Sequence, residues 1–375
     1  MLGWIIAAAL AVQATPAAPP APPQEAAVPA AVEEPIAATP PGPGYIEAVP
    51  PALRERVRRE VVEPAGSRYD RLQRLVTLLF SPQQDGLAYQ ADATYTVEQA
   101  WRTRRGNCVA FTLLLLALAD EAGLEAWPQE SDDALAWQLQ DDTLYRTTHV
   151  SATVRIGGRT WRVDATPEPV IERGPPERID HRRLLSHYYN NLAVALMEQG
   201  RLEDAGRYVD AAIAQDPRLA ATWSNGGVIA LRGGAPGLAR LRYERALELD
   251  PDNAGALFNM VGLLERGGDA RELAGYRARL ARVQRRDPFH HFLLAMDFER
   301  AGDLPGAIEQ LRAAARLMPR EYRFHLALAN AYREAGDAKR AARSLARARA
   351  LGGQAPTGSS VPDEALETSA RKPRG

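Results

Sequence analysis

The chain has 375 residues, enough for two or three domains. Lys and Arg number 46 against 47 Asp and Glu, so no net charge draws it to nucleic acid. A single cysteine excludes an internal disulfide, no CxxC or HExxH spacing signals a metal site, and no cofactor is expected.

Residues 2–12, LGWIIAAALAV, form an apolar segment too short to span a bilayer. The segment fits the apolar region of a secretory signal, with small-residue cleavage options after Ala14 or Ala18, although no Lys or Arg precedes it. The expectation is a signal over 1–18 and a periplasmic or secreted protein; without a signal the protein would stay cytoplasmic. No transmembrane span is expected. Ten prolines between Pro16 and Pro43 make residues 19–44 a disordered, semi-stiff linker that cannot bury a core.

From Tyr45 the composition becomes globular. PALRERVRREVVEP and SRYDRLQRLVTLLF read as amphipathic helices, with Ser67 capping the second. Tyr89 to Tyr95 reads as an extended loop, and TVEQAWRTRRG as a short helix capped by Thr96 with Ala100 and Trp101 inward. The apolar run after Gly106-Asn107, unbroken until Gly123, suits a helix buried on most sides. Asn107 is a strong N-cap residue, which puts Cys108 in the first turn. Unpaired N–H groups and the positive end of the helix dipole favour an anionic, nucleophilic sulfur there. A lone helical cysteine can equally be a small core residue. Trp127 and Trp137 are expected in the core.

THVSATVRI alternates, Gly157-Gly158 makes a two-residue turn, and RTWRVDATP returns. If Ile156 pairs with Arg159, each residue n faces about residue 315 − n. His149 then falls opposite residue 166, at the same end of the ribbon as Asp164, which shares a face with Thr166. An Asp and a His can meet there by local geometry alone.

Three separated motifs now stand in order: Arg105-Gly106-Asn107-Cys108 with its helix ending at Ala122-Gly123-Leu124, His149-Val150 opening a strand, and Trp161-Arg162-Val163-Asp164-Ala165-Thr166. This arrangement resembles the transglutaminase-like superfamily of papain-type folds, over residues 45–180. The resemblance implies an α+β papain/transglutaminase-like domain in a bacterial protein, with Cys108, His149 and Asp164 as a catalytic triad. Cys108 would attack a carboxamide or peptide carbonyl, His149 would move the proton, and Asp164 would orient the imidazole. The backbone N–H of Cys108 is one candidate oxyanion donor; no motif supplies a second. Whether water or an amine resolves the thioester is left open, so protease, amidase and acyltransferase activities all fit.

From Ser186 the chain is periodic. Gly200, Gly234, Gly268, Gly302 and Gly336 recur every 34 residues. Ala205, Ala239, Ala307 and Ala341 keep the interval, with Leu273 in the missing slot. Ala212, Ala246, Ala314 and Ala348 do so too, with Leu280 filling in. Pro217, Pro251 and Pro319 close three repeats, and in the third the proline is displaced to Pro288. This period and pattern is that of the tetratricopeptide repeat, and it implies an all-α tetratricopeptide solenoid of five repeats over 186–351. Such arrays bind a protein or peptide in a groove. Asn191, Asn225 and Asn259 share one slot, where an amide ladder would hydrogen-bond a bound peptide's backbone, or serve bonds within the repeats. Lys339, Arg340, Arg343, Arg347 and Arg349 read as a solvated terminal helix, and 353–375 as a disordered tail. His181, His187, His290, His291 and His325 read as packed or surface positions, with His187 the rival base to His149. The alternative to an enzyme is an inactive transglutaminase-like scaffold whose repeat groove alone functions.

Overall fold

A computed structural model describes residues 35–81, 86–131, 137–140, 143–146, 148–165, 174–267 and 269–352. The expected signal, most of the linker, Thr166, Gly268 and the tail lie outside the described residues. Trp137 lies in a strand whose side chains are outside them too. Among the described residues, no helix is long and apolar enough to cross a membrane.

The stretch read as a linker ends earlier than its composition implies. Residues 36–41 lie as a strap along the first helical repeat. Arg201 Nη1 donates to the Ile36 carbonyl at 2.8 Å, Arg207 Nε to Ala38 at 2.9 Å, and the Tyr189 hydroxyl to Pro41 at 2.6 Å. A proline-rich strand has few N–H groups of its own to satisfy, yet its carbonyls still accept. A short helix α1 (Pro43–Ile46) follows and buries Ile46.

Helix α2 (Pro51–Val57) runs into a π-helical turn over Arg58–Val62, and α3 (Arg68–Phe80) is capped by the Ser67 hydroxyl. Strand β1 (Ala88–Tyr89) then pairs in parallel with β2 (Arg105–Gly106), on the far side of α4 (Val97–Thr103). Thr96 and Gln99 form a reciprocal capping box at the start of α4. Arg104 ends that helix in the left-handed region, at φ 54°, and lays its guanidinium on the Trp101 ring at 3.5 Å. The stacked ring holds a turn that an ordinary side chain disfavours, and the turn feeds the chain into α5 (Cys108–Glu121).

Helix α5 is buried on most sides and backs a four-stranded antiparallel sheet, in the order β7-β6-β3-β8. Its strands are β3 (Glu125–Ser131), β6 (His149–Ile156), β7 (Arg159–Val163) and β8 (Glu177–Arg178). Strands β4 (Trp137–Gln140) and β5 (Thr143–Arg146) form a separate antiparallel ribbon. Trp127 is not a core residue. It is half-buried, with the guanidinium groups of Arg178 and Arg155 over its ring at 4.6 and 4.9 Å. The indole is shielded by charged side chains that keep their heads in water.

Ten helices follow in antiparallel pairs: α6 (His181–Glu198), α7 (Leu202–Gln215), α8 (Ala220–Arg232), α9 (Pro236–Leu249), α10 (Ala254–Glu265), α11 (Ala270–Gln284), α12 (Pro288–Arg300), α13 (Leu304–Leu317), α14 (Tyr322–Glu334) and α15 (Ala338–Ala350). Gly200, Gly234, Gly302 and Gly336 turn the chain within four of the pairs at φ 75–77°, where a Cβ would be strained. The small residues expected at close-approach positions are buried: Ala205, Ala212, Ala239, Ala246, Ala307, Ala314 and Ala348.

One apolar core runs from Ile46 and Leu53 through α5 into the first repeats, reaching Tyr243 and Met260. The α12–α15 segment has its own cluster around Phe289, Leu311 and Phe324, to which no residue of α10 or α11 belongs. A seam therefore divides the array. Its cause is legible in α11, which buries only Leu280. Leu273 and Leu280 replace the alanines of the other repeats, and Arg285 stands where a closing proline would.

Candidate active site

Cys108 occupies the first position of α5. The Asn107 side chain accepts from the Val109 and Ala110 amides, both at 3.1 Å, and so caps the two amides after Cys108 but not that of Cys108 itself. Asn107 is locked in turn. Its Nδ2 donates to the Thr94 hydroxyl at 2.6 Å and its backbone N–H to the Ala93 carbonyl at 2.9 Å.

The hairpin pairs Ile156 with Arg159 and Ala152 with Val163, a register in which partners sum to 315. Beyond that ladder, His149 Nε2 meets Asp164 Oδ2 at 2.7 Å. This bond leaves Nδ1 as the ring nitrogen not engaged by Asp164, and Cys108 is near enough to raise the imidazole. The structure thus brings Cys108, His149 and Asp164 together from α5, β6 and the end of β7. His149 is 4% exposed and Asp164 23%. Burial pushes the imidazole down, but the hydrogen bonds and charges of Asp164 and Cys108 outweigh it and hold the ring at about 9.

The residues that hold Asp164 had no signal in the sequence. Arg162 Nη2 donates to the same Oδ2 at 3.1 Å, and its Nε donates to the Ser151 hydroxyl at 3.1 Å. Gln129 Nε2 reaches that hydroxyl too, at 3.1 Å, and Gln129 Oε1 accepts from Thr153 at 2.6 Å. A polar ladder across β3, β6 and β7 therefore fixes the carboxylate. Tyr89 stacks on Phe111, one turn beyond Cys108, at 6.5 Å between centroids. Burial raises its phenol, helped by the charges of Cys108 and Asp164, so it stays a protonated donor beside the cluster.

The other histidines are engaged elsewhere. His187 Nε2 lies 3.2 Å from Glu130 Oε2, and His181 pairs with Glu47. His291 Nδ1 meets Gln310 at 2.7 Å, and His325 reaches the Pro319 carbonyl. Glu130 also receives Arg183 at 2.5 and 3.0 Å, and Arg183 donates to Asp216 at 3.2 Å. This buried network ties β3 to α6 and the end of α7. Burial would raise Glu130, but His187 and Arg183 hold it down at about 2. A cleft of about 1260 Å³, lined by Leu116, Trp127, Glu130, Arg183 and Arg218, lies beside this junction and includes neither Cys108 nor His149.

In the expected amide slot, Asn225 Nδ2 donates to Asn190 Oδ1 at 3.0 Å, so the partner in the first repeat is Asn190 and not Asn191. Asn259 Nδ2 is buried without a hydrogen-bond partner. The basic residues of the last repeat lie along α15, which buries only Ala348.

The tetratricopeptide repeat family model matches residues 186–220 and 292–356. Solved structures similar to this chain include YrrB, described as a repeat protein of this kind with an unusual peptide-binding site. It is 19% identical over 45% of this chain and 88% of its own, with a TM-score of 0.25. MamA 41-end from Desulfovibrio magneticus RS-1 is 19% identical over 46% and 96%, at 0.26. Another MamA crystal structure is 17% identical over 46% and 98%, at 0.26. No curated protein matches the sequence. The chain carries tetratricopeptide repeats, and repeats of this kind are protein-interaction modules.

Proposed function

We propose that the chain performs cysteine-dependent acyl transfer or hydrolysis on a polypeptide carboxamide or peptide bond, in the manner of the transglutaminase-like proteins it resembles, and that the repeat groove holds the polypeptide. The observation that carries this reading is the 2.7 Å contact of His149 with Asp164 beside Cys108, the first residue of α5. At neutral pH the ring retains its proton, and an imidazolium beside the sulfur favours the anionic nucleophile. Sulfur and ring titrate as a pair.

Attack forms a C–S bond and places negative charge on the former carbonyl oxygen. The Cys108 amide, at the positive end of α5, is the donor aimed at that charge. Collapse of the adduct takes the imidazolium proton to the leaving amine and leaves a thioester on Cys108. Neutral His149 then accepts a proton from water or an incoming amine, which attacks the thioester and regenerates the thiolate and imidazolium. Asp164, steadied by Arg162, keeps Nε2 occupied so that Nδ1 does the transfer.

The same proposal takes 45–180 as the catalytic domain and 186–351 as five repeats, and places the protein in the periplasm or outside the cell on the strength of residues 1–18. The test is the pH dependence of iodoacetamide modification at Cys108, in the natural chain and in His149→Ala. Fast labelling at pH 6 that collapses in the variant supports the pair. Slow labelling unchanged by the substitution leaves a scaffold whose repeats alone function.

A further inference from the structure

In the sequence the β4–β5 ribbon falls between Ser131 and His149, residues that pair with each other across β3 and β6. Strand β5 lies against α10 and α8, the first helices of the third and second repeats. Burial follows this placement. Asn225, Asn259 and Leu293 occupy one position in three successive repeats. The first two, on α8 and α10, are 4% and 6% exposed, whereas Leu293 on α12 is 37% exposed. Ala327, the residue at this position on α14, is half-buried. This position is therefore covered on α8 and α10 and more open on α12 and α14. Within the covered part, the Asn259 amide keeps a buried donor with no partner. An orphaned donor of this kind is a standing cost that a better-fitting backbone carbonyl would relieve.

We propose that the β4–β5 ribbon is a resident occupant of the repeat groove, holding in cis the place of an extended polypeptide partner that displaces it. This rests on the reading that the groove takes polypeptide, and adds that binding is an exchange. The ribbon suits the role. Two strands of four residues are marginal alone, so the ribbon depends on the helices beneath it and costs little to lift. Its tether gives it a high effective concentration, which keeps weak partners out. Only two residues separate Arg146 from His149, so an exchange in the groove pulls directly on the strand that carries the candidate base. Partner arrival and the state of His149 are coupled, and the coupling is reciprocal.

The test uses the full chain and a version in which residues 132–147 are replaced by a short Gly/Ser turn, which the pairing of Ser131 with His149 permits. The probe is a labelled synthetic peptide of residues 137–146, followed by fluorescence anisotropy. The peptide should bind the shortened chain at least tenfold more tightly than the full one. Equal binding to both, or binding to neither, overturns the proposal. A second measurement needs no shortened chain. In a Cys108→Ala background, maleimide should label Asn259→Cys at least tenfold more slowly than Leu293→Cys; equal rates overturn the proposal. Neither readout uses the chemistry of Cys108, so a failure of the acyl-transfer reading is seen separately, in the iodoacetamide profile.

Discussion

Replacing Asp164 by Asn removes the larger of the two influences that raise His149. Burial alone would lower the ring, yet in the folded chain it holds its proton up to about 9, against 6.5 for a free imidazole. At about 1.36 kcal/mol for each tenfold in proton affinity, this is worth ~3 kcal/mol of folding stability. Because the folded affinity is the raised one, the contribution is fully present below pH 6.5 and is lost as pH rises through about 9. In Asp164→Asn only Cys108 remains to raise the ring, so more than half of that pH-dependent stability should vanish, about 2 kcal/mol. The assay is urea unfolding followed by circular dichroism at pH 6 and pH 9.5 in both chains. Groups that titrate in common cancel in the comparison. The imidazole resonances of His149 give a direct check, since the ring should titrate nearer 6.5 in the variant. Equal loss of stability in the two chains between pH 6 and 9.5 would refute the coupling of His149 to Asp164.

On the acid side, Glu130 binds its proton less tightly when folded, so its contribution is present above pH 4.5 and lost as pH falls towards 2. Glu130→Gln should flatten the acid limb of the same unfolding series while leaving the alkaline limb unchanged. A Cβ at Gly227 would lie 2.3 Å from the buried Tyr243 ring, whereas one at Gly262 meets nothing within 4 Å. Gly227→Ala should therefore destabilise by about 1–2 kcal/mol in denaturant melts, overpacking outweighing the helical gain, while Gly262→Ala stabilises by about 1 kcal/mol. Asn107→Ala removes the cap of α5, and we expect a loss of roughly 1–2 kcal/mol together with slower alkylation of Cys108. The seam after α11 predicts two unfolding transitions by calorimetry, with a chain truncated after Arg286 keeping the more stable one.

Much of the site could be read from short-range rules. Ser67, Thr96 and Asn107 are caps because their side chains reach amides two or three residues on, and a two-residue Gly-Gly turn sets a register that carries to the end of the ribbon. What escaped the reading depends on contacts that no local period encodes. Arg162 alternates outward in its strand and reads as a solvated charge, yet its partner Asp164 is two residues away on the same face. Glu130 and Arg183 are 53 residues apart, and a buried carboxylate has no pattern until the helix that neutralises it is placed. Asn190 and Asn191 differ by 100° of helical phase, a smaller step than a 34-residue alignment discriminates. The alternation of Trp137-Gln138-Leu139-Gln140 announces a strand, but nothing in it announces an attachment to helices of the second and third repeats. The seam was half legible: the leucines at alanine positions stand in the sequence, but their effect on the next repeat is a matter of shape.

The strap over the first repeat has a consequence for how this chain can change. Arg201, Arg207 and Tyr189 read carbonyl oxygens, and every amino acid has one. What the repeat selects is thus a path of the backbone and not a spelling. Substitutions along 36–41 that keep the path should be silent, and prolines there reduce the freedom lost on docking because the unbound strap has less to lose. Among the described residues, the grip falls on carbonyls from Ile36 onward. A chain that begins at Ile36 would keep all three of these hydrogen bonds.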